Sequence, residues 1–162
     1  MEMDAVLVTD SCVLIDYFRY GKDALLTIAS SVRVVVPDVL VADELSDLDT
    51  RELLEAGIEI ISVAPELLTE AMSRNRPLSF YDWICYLLAQ SERWICITND
   101  AKLKRQCEAD DVIVQWGLWP LAKIVRAGLF SKTRAVAIMQ AMAEGNPRLT
   151  RGIQSEFRKQ ME

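Results

Sequence analysis

Histidine is absent from the 162 residues of this chain. Without an imidazole group the chain can build neither a Ser-His-Asp nor a Cys-His nucleophile system, and it lacks the side chain that titrates nearest neutral pH. Carboxylates are abundant by comparison, with 24 aspartates and glutamates. If the chain is an enzyme, we therefore expect carboxylates to carry its chemistry.

Paired cysteines are also missing. The four cysteines, Cys12, Cys85, Cys96 and Cys107, stand singly among apolar neighbours, and no C-x-x-C pair occurs. Zinc sites and disulfide frameworks usually show paired or regularly spaced cysteines. We expect buried, reduced thiols in preference to a disulfide or a zinc site.

Long apolar runs and flexible linkers are missing as well. No run approaches the roughly 20 apolar residues that span a bilayer, and the first residues, MEMDAV, are acidic where a signal peptide is basic. No stretch rich in Gly, Ser or Pro divides the chain. With 51% hydrophobic residues and a length near the usual one-domain size, the chain is expected to form one compact cytoplasmic domain without membrane contact.

The net charge of −6 is unevenly distributed. Residues 1–90 carry 6 basic and 16 acidic side chains, a net charge of −10, whereas residues 91–162 carry 12 basic and 8 acidic side chains, a net charge of +4. An acidic region can hold divalent cations and a basic region can meet phosphate groups. Solvated helix faces that differ by chance are the alternative explanation.

Short apolar, mostly β-branched runs alternate with helical patterns. Continuous apolar runs are typical of strands that are buried on both faces, and they occur at residues 5–9, 32–36, 58–63, 94–98 and 112–115. Helical patterns occupy residues 23–31, 39–48, 65–75, 80–90 and 101–109, and after Gln115 residues 117–128, 132–145 and 151–160. This alternation predicts an α/β three-layer sandwich with a mostly parallel five-stranded sheet, plus C-terminal helices.

Two acids follow predicted strands directly. Asp10 ends the first strand and Asp100 follows the fourth, and in an open parallel sheet ligands bind beyond the carboxyl ends of the strands, where the strand order reverses. Either acid alone is equally explained as a helix N-cap. Thr98 and Asn99, next to Asp100, are either supporting hydrogen-bonding groups or plain turn residues.

Two further acids lie within predicted helices. Glu44 falls inside the apolar stripe formed by Leu40, Val41, Leu45 and Leu48, which predicts that its carboxylate faces the core, where it needs a metal or an arginine partner. Asp82 lies in an almost wholly apolar helix. Ser79-x-x-Asp82 also fits a capping box, which would place the acid near the helix N-terminus in either case.

Together Asp10, Glu44, Asp82 and Asp100 form a set of converging carboxylates with no lysine or arginine obviously among them. Such a set cannot stay fully charged without a counter-cation, and hard divalent cations such as Mg²⁺ or Mn²⁺ suit all-oxygen ligands. Metal ions in sites of this kind activate water and stabilise the charge of phosphodiester hydrolysis.

At this point the sequence resembles the PIN-domain ribonucleases, in particular the VapC toxins of prokaryotic toxin–antitoxin pairs. The resemblance covers residues 4 to about 115. Its motifs occur in family order: an apolar strand then Asp10-Ser11, V-P-x₆-E-L from Val36 to Leu45, L-S-x-x-D from Leu78 to Asp82, and T-x-D-x-x-L from Thr98 to Leu103. Each motif alone is weak, and the four in order are more specific.

The resemblance implies a nuclease domain over residues 1–115 and a helical extension, residues 116–162, packed on the same domain. It implies a metal-dependent endoribonuclease holding Mg²⁺ or Mn²⁺, with either Asp82 or Asp100 orienting the attacking water. It also implies a cognate antitoxin and a homodimer. The residues it matches are the four acids Asp10, Glu44, Asp82 and Asp100, with Ser11 and Thr98 in supporting positions.

Several alternatives stay open at this stage. A receiver-like regulatory domain needs a phospho-acceptor Asp after the third strand, and IEIISVAP offers none. A PIN-fold module that binds RNA or a protein without cutting is the second alternative. Trp116, Trp119 and Leu121 belong either to the core or to an interface. Near Asp100, Lys102, Lys104 and Arg105 have the sign of charge that binds an RNA backbone, although a solvated helix face explains them too.

Overall fold

A computed structural model describes residues 4–162 of the chain. Its strands are β1 (Val6–Thr9), β2 (Arg33–Pro37), β3 (Glu59–Ile61), β4 (Ile95–Thr98) and β5 (Val114–Trp116). Its helices are α1 (Ser11–Tyr20), α2 (Lys22–Ser31), α3 (Asp38–Glu44), α4 (Thr50–Glu55), α5 (Pro65–Ser73), α6 (Phe80–Glu92), α7 (Ala101–Ala109), α8 (Trp119–Arg126), α9 (Lys132–Gly145) and α10 (Arg151–Gln160). The strands form one sheet in the order β3-β2-β1-β4-β5. All four pairings are parallel, which confirms the predicted α/β fold.

The order of the strands reverses between β1 and β4. From β1 the chain passes to β2 and β3 on one side of the sheet, and it later builds β4 and β5 on the other side. Val8 of β1 lies opposite Val35 of β2 and Cys96 of β4. The crevice beyond the carboxyl ends of β1 and β4 is therefore the position at which open parallel sheets bind ligands.

The central strands are buried on both faces. Leu7, Val8, Val35 and Ile97 are each at most 1% exposed, because helices cover both sides of the sheet. This burial explains why the strands read as unbroken apolar runs and not as alternating ones. It also holds the loops at the ends of the strands on a rigid base.

The predicted helix over residues 39–48 is wrong in its second half. Helix α3 ends at Glu44, and Leu45 leaves the helical conformation with a φ of −114°. Asp49 then caps the new helix α4, accepting a hydrogen bond from a backbone N–H of its first turn. Aspartate and serine side chains bond readily to nearby backbone groups, which favours such a cap over continuation of the helix.

The C-terminal helices pack on the helices of the sheet domain. Helix α8 contacts α2 and α10, and α9 contacts α1. The Tyr17 hydroxyl donates a 2.7 Å hydrogen bond to the Gly117 carbonyl, which ties α1 to the start of this region. Leu121 is fully buried, whereas Trp116 and Trp119 are partly exposed. The boundary at residue 115 stays a prediction.

All four cysteines are free thiols. Cys85, Cys96 and Cys107 are buried, but the expectation of burial is wrong for Cys12, which is exposed. Cys12 lies in the first turn of α1. Among the helices of residues 4–162, none has the length and apolar character that crossing a membrane requires.

Candidate active site

Asp10 is a buried carboxylate at the carboxyl end of β1. Its Oδ1 accepts a 2.9 Å hydrogen bond from the Val13 N–H and so caps α1, and its Oδ2 accepts a 2.5 Å hydrogen bond from the Thr98 hydroxyl. Burial raises the pKa of Asp10 from 3.8 to about 7, against the lowering effect of these two hydrogen bonds, and the charge of Asp82 raises it further. The side chain that caps α1 is therefore also a buried carboxylate with a raised pKa at this edge of the sheet.

Thr98 links the two acids at the strand ends. Its side chain is completely buried, donates to Asp10 and accepts a 3.0 Å hydrogen bond from the Asp100 N–H. Asp100 caps α7 through its Oδ1, which accepts hydrogen bonds from the N–H groups of Lys102 at 2.8 Å and Leu103 at 3.1 Å. One hydroxyl therefore fixes the end of β4 relative to the end of β1.

Asp82 lies at the third position of α6. The Ser79 hydroxyl accepts a hydrogen bond from the Asp82 N–H at 3.2 Å, which is one half of the predicted capping box, and Ser79 lowers the pKa of the Asp82 carboxylate. The pKa of Asp82 is raised chiefly by burial and then by the charge of Asp100, with a further contribution from Glu44. The cap at Ser79 and proximity to the other acids occur together.

Glu44 is held by a hydrogen bond but is not buried. Its Oε1 accepts a 2.8 Å hydrogen bond from the Ser11 hydroxyl, which joins α3 to the first turn of α1. The prediction that Glu44 faces the core is wrong, because the side chain is exposed. The apolar stripe used for that prediction assumed a helix continuing to Leu48, whereas Glu44 is the last residue of α3.

Asn99 supports the loop after β5, and among residues 4–162 its side chain forms no hydrogen bond to an acid. Its Oδ1 accepts a 3.0 Å hydrogen bond from the Gly117 N–H. A Cβ at position 117 would lie 2.8 Å from that oxygen, so this close approach requires glycine. Asn99 therefore ties the strand end at the site to the chain that enters α8.

Arg148 is a site residue that the sequence did not reveal. It lies between α9 and α10, and its Nη2 is 3.7 Å from Asp100 Oδ2, in an ion pair that is partly exposed. Its charge also lowers the pKa of Asp10. The inference that no arginine stands among the acids is therefore wrong, because the tertiary fold brings Arg148 to Asp100 from 48 positions along the chain.

The three basic residues predicted near Asp100 divide into two groups. Lys102 and Arg105 line a cavity of about 560 Å³ together with Asp100 and Arg148. Lys104 does not line it. Its Nζ pairs with Glu108 at 3.1 Å and lies 4.7 Å from the centre of the Trp116 ring.

The donor set suits a hard divalent cation in kind and in charge. All four acids offer oxygen ligands, and burial together with neighbouring carboxylates raises the pKa of Asp10 and Asp82, which a bound cation would offset. Within residues 4–162, however, no three acidic, histidine or cysteine side chains converge closely enough to form a metal-binding group. In addition to burial, the charge of Asp82 raises the pKa of Asp10, and the charges of Asp100 and Glu44 raise the pKa of Asp82, so Asp82 is close enough to interact with each of the other three acids.

Comparison with known proteins gives a match in structure and none in sequence. No family model matches the chain, and no curated protein does. A solved PilT N-terminus domain protein from the hyperthermophilic archaeon Sulfolobus solfataricus P2 is similar with a TM-score of 0.53 and 16% sequence identity, covering 73% of this chain and 92% of that one. A domain of a functionally unknown protein from Methanocaldococcus jannaschii has a TM-score of 0.46 at 15% identity, covering 69% of this chain and 90% of that one. The parallel sheet, its strand order and the first of these similarities together show that the chain adopts the PilT N-terminus, or PIN, domain fold.

Proposed function

We propose that this chain is a metal-dependent endoribonuclease that hydrolyses RNA phosphodiester bonds at the carboxyl edge of β1 and β4. PIN-fold proteins are generally nucleases. The observation that carries the proposal is Asp10, a buried carboxylate with a pKa raised to about 7, at the point where the strand order reverses. Asp10 is a desolvated acid beside Asp82, whose own pKa is raised by burial first and then by the charges of Asp100 and Glu44, and such a pair is typical of a functional site.

Asp10, Glu44, Asp82 and Asp100 are the residues that would hold Mg²⁺ or Mn²⁺ in this proposal. Such an ion, when bound, supplies Lewis-acid stabilisation of the charge that develops on the phosphoryl oxygens.

Among the acids, Asp82 is the best placed to accept the proton of an attacking water. The Oδ1 of Asp100 is occupied by two backbone N–H groups, and its Oδ2 faces Arg148. The carboxylate of Asp10 accepts hydrogen bonds at both oxygens. Burial, together with the charges of Asp100 and Glu44, raises the pKa of Asp82, which makes its carboxylate a stronger base than an ordinary aspartate.

The test is cleavage of end-labelled single-stranded RNA by the purified chain with Mg²⁺, with Mn²⁺ and with EDTA. Asp10→Asn and Glu44→Gln are expected to reduce metal-dependent cleavage at least about 100-fold, in line with loss of a positioned acid. Asp49→Asn, at the N-cap of α4, and Glu55→Gln, at the last residue of α4, repeat these two changes at matched positions. They should cleave like the parent chain, and cleavage that survives Asp10→Asn would overturn the proposal.

A non-cutting binding module is the second candidate, and two observations favour it. Arg148 already gives Asp100 a cationic partner, and the described acids do not converge in threes. This candidate predicts RNA binding without cleavage and no heat of binding when Mn²⁺ is titrated into the chain. Metal binding that is lost in Asp10→Asn would exclude it.

We further propose that the nuclease is the toxin of a toxin–antitoxin pair, with a cognate antitoxin and a homodimeric assembly. The support is the resemblance of the motifs alone. Induced expression in a bacterial host is expected to arrest growth, whereas the Asp10→Asn chain should be tolerated at equal abundance. Growth arrest by both chains would contradict a role for cleavage in toxicity.

A further inference from the structure

A charged cavity adjoins the acidic site on the side of the C-terminal helices. Its volume is about 560 Å³. Residues that follow β4, the helix α7 and the end of β5 line one part of it, namely Asn99 to Lys102, Arg105 and Trp116. Arg148, Thr150 and Ile153 line it from the loop before α10 and from α10 itself. The sheet domain and the C-terminal helices thus build this cavity jointly.

The cavity carries positive charge that the described residues do not neutralise. Lys102, Arg105 and Arg148 line it and are exposed, and Asp100 is its one lining acid. Between residues 4 and 162 neither Lys102 nor Arg105 forms a salt bridge, and Arg148 forms a long one, 3.7 Å, with Asp100. The exposed ammonium group of Lys102 and guanidinium group of Arg105, without a salt bridge among residues 4–162, and the guanidinium group of Arg148, whose ion pair is with Asp100, are suited to phosphate.

Trp116 adds an aromatic surface to the same cavity. The indole is partly exposed, and the Lys104 Nζ lies 4.7 Å from the ring centre. Trp119 has a similar environment, with the Lys123 Nζ at 5.4 Å, but does not line the cavity. Cationic side chains combined with an aromatic ring are the features that bind single-stranded nucleic acid, whose phosphates and bases they contact separately.

Arg148 lies where the cavity meets the acids. It lines the cavity, pairs with Asp100 and lowers the pKa of Asp10 through its charge. If Arg148 holds one phosphate of an RNA chain, the next phosphodiester of that RNA would therefore lie close to Asp10 and Asp100. The loop that carries Arg148 is fixed, because the Asn146 side chain donates a 2.9 Å hydrogen bond to Asp16 of α1 and accepts one of 3.0 Å from the Arg148 N–H.

We propose that this cavity binds the nucleotide of single-stranded RNA next to the cleaved bond, with its phosphates on Arg148, Arg105 and Lys102 and its base on Trp116. The inference rests on the proposed ribonuclease function and adds the substrate subsite. The C-terminal helices then serve as one wall of the substrate path, and Arg148 is a substrate-positioning residue.

The experiment measures binding of a fluorescent single-stranded RNA in EDTA, where no cleavage occurs, and cleavage separately with Mg²⁺ or Mn²⁺. Arg148→Gln and Arg105→Gln are each expected to weaken binding about 5-fold, and Trp116→Leu about 10-fold, in the range for loss of one phosphate contact or one stacked base. RNA should quench tryptophan fluorescence in the parent chain, and less in Trp116→Leu.

Matched controls are available at neighbouring positions. Trp119→Leu changes an equivalent tryptophan outside the cavity, and Arg151→Gln changes an exposed arginine of α10 that does not line it. Both should bind RNA within 2-fold of the parent. If Trp116→Leu fails to fold, binding by Arg105→Gln and Arg148→Gln still tests the proposal, because both side chains are exposed and their replacement should leave the fold intact.

The outcomes separate this inference from the proposed function. Weaker RNA binding in the cavity variants with no cleavage by any chain would support the cavity and overturn the nuclease. Cleavage that depends on Asp10, with binding and KM unchanged in all three cavity variants, would overturn the cavity and leave the nuclease. Tighter binding of single-stranded DNA of the same sequence, or equal binding of a glutamate-rich peptide, would overturn the assignment of the cavity to RNA.

Discussion

Asp10 is both the N-cap of α1 and a buried carboxylate whose pKa is raised to about 7. Its two oxygens are satisfied by Val13 and Thr98, yet burial keeps its pKa near 7. Hydrogen bonds to a carboxylate normally lower its pKa, so the raised value shows that desolvation is the larger effect here. A cation bound at this edge would stabilise the ionised carboxylate of Asp10 and so lower its pKa.

The stability of the chain is expected to fall as pH rises through the titration of Asp10. Because the folded pKa, about 7, lies above the unfolded value of 3.8, the folded state binds this proton more tightly. The stabilisation from protonated Asp10 is full below the unfolded value and lost as pH approaches the folded one, a change of about 2–4 kcal/mol. Urea denaturation in EDTA at pH 5 and pH 8 measures it.

Asp10→Asn is the variant that isolates this effect. The amide keeps the cap and cannot ionise. The free energy of unfolding of the variant, relative to that of the parent, should therefore rise by about 2–4 kcal/mol between pH 5 and pH 8. Asp49→Asn, at the exposed cap of α4, should show no such gain. An equal difference between Asp10→Asn and the parent at both pH values would contradict the raised pKa.

Thr98 is expected to contribute more to stability than Thr9, the last residue of the adjacent strand β1. Thr98→Val removes the donor to Asp10 and the acceptor for the Asp100 N–H, leaving buried polar groups unpaired, and should lower the free energy of unfolding by about 1–3 kcal/mol. Thr9→Val, also buried, removes only a 3.2 Å bond to the adjacent Asp10 carbonyl. Chemical denaturation of both variants should rank Thr98→Val as the less stable.

At the scale of elements, the C-terminal helices belong to the packing of the sheet domain. Helix α8 lies between α2 and α10, and buried Phe157 of α10 joins the same core cluster as the strands. We expect Phe157→Ala to cost about 3–5 kcal/mol and to leave one cooperative transition. Phe130→Ala, at a partly buried position between α8 and α9, should cost less.

Thermal unfolding followed by both circular dichroism and tryptophan fluorescence measures this prediction. Because Trp83 and Trp94 lie in the sheet domain, fluorescence is recorded on chains in which both are replaced by Phe, so that Trp116 and Trp119 report on the C-terminal region. Circular dichroism reports on the whole chain. Two separate transitions in the parent chain, or a Phe157→Ala variant that loses only the fluorescence transition, would show that residues 116–162 form a separate unit.

At the scale of the whole molecule, charge is sorted by region in the sequence and by surface in the fold. The net charge of −6 disfavours nucleic acid in general, while the cavity beside Asp100 offers three basic side chains at one place. RNA binding should therefore weaken as salt is added, because each phosphate contact releases a counterion. For a single strand with three such contacts, the slope of log K against log [salt] should be about −2. Titrations in EDTA between low and moderate KCl measure it, and a slope near zero would contradict phosphate contacts.

Much of the fold could be predicted because its signals are local or periodic. The five apolar runs became the five strands within about two residues at each end, and Asp10, Asp100 and Ser79 became helix caps as their residue types suggest. The helix through Glu44 could not be predicted in full, because where α3 stops depends on Leu45 leaving the helix and on Asp49 starting α4.

The sequence by itself determined the parallel α/β sheet and the placing of Asp10 and Asp100 at strand ends, since both follow from hydrophobic periodicity and chain order. It also placed Asp82 at a helix N-terminus through the capping box. Only the tertiary structure decided that Glu44 is exposed yet bonded to Ser11, and that Arg148 reaches Asp100. The two residues of the first contact are 33 positions apart in the sequence, and those of the second are 48 positions apart. The geometry of both contacts depends on how α3 and the loop before α10 pack against the sheet, which no local pattern encodes.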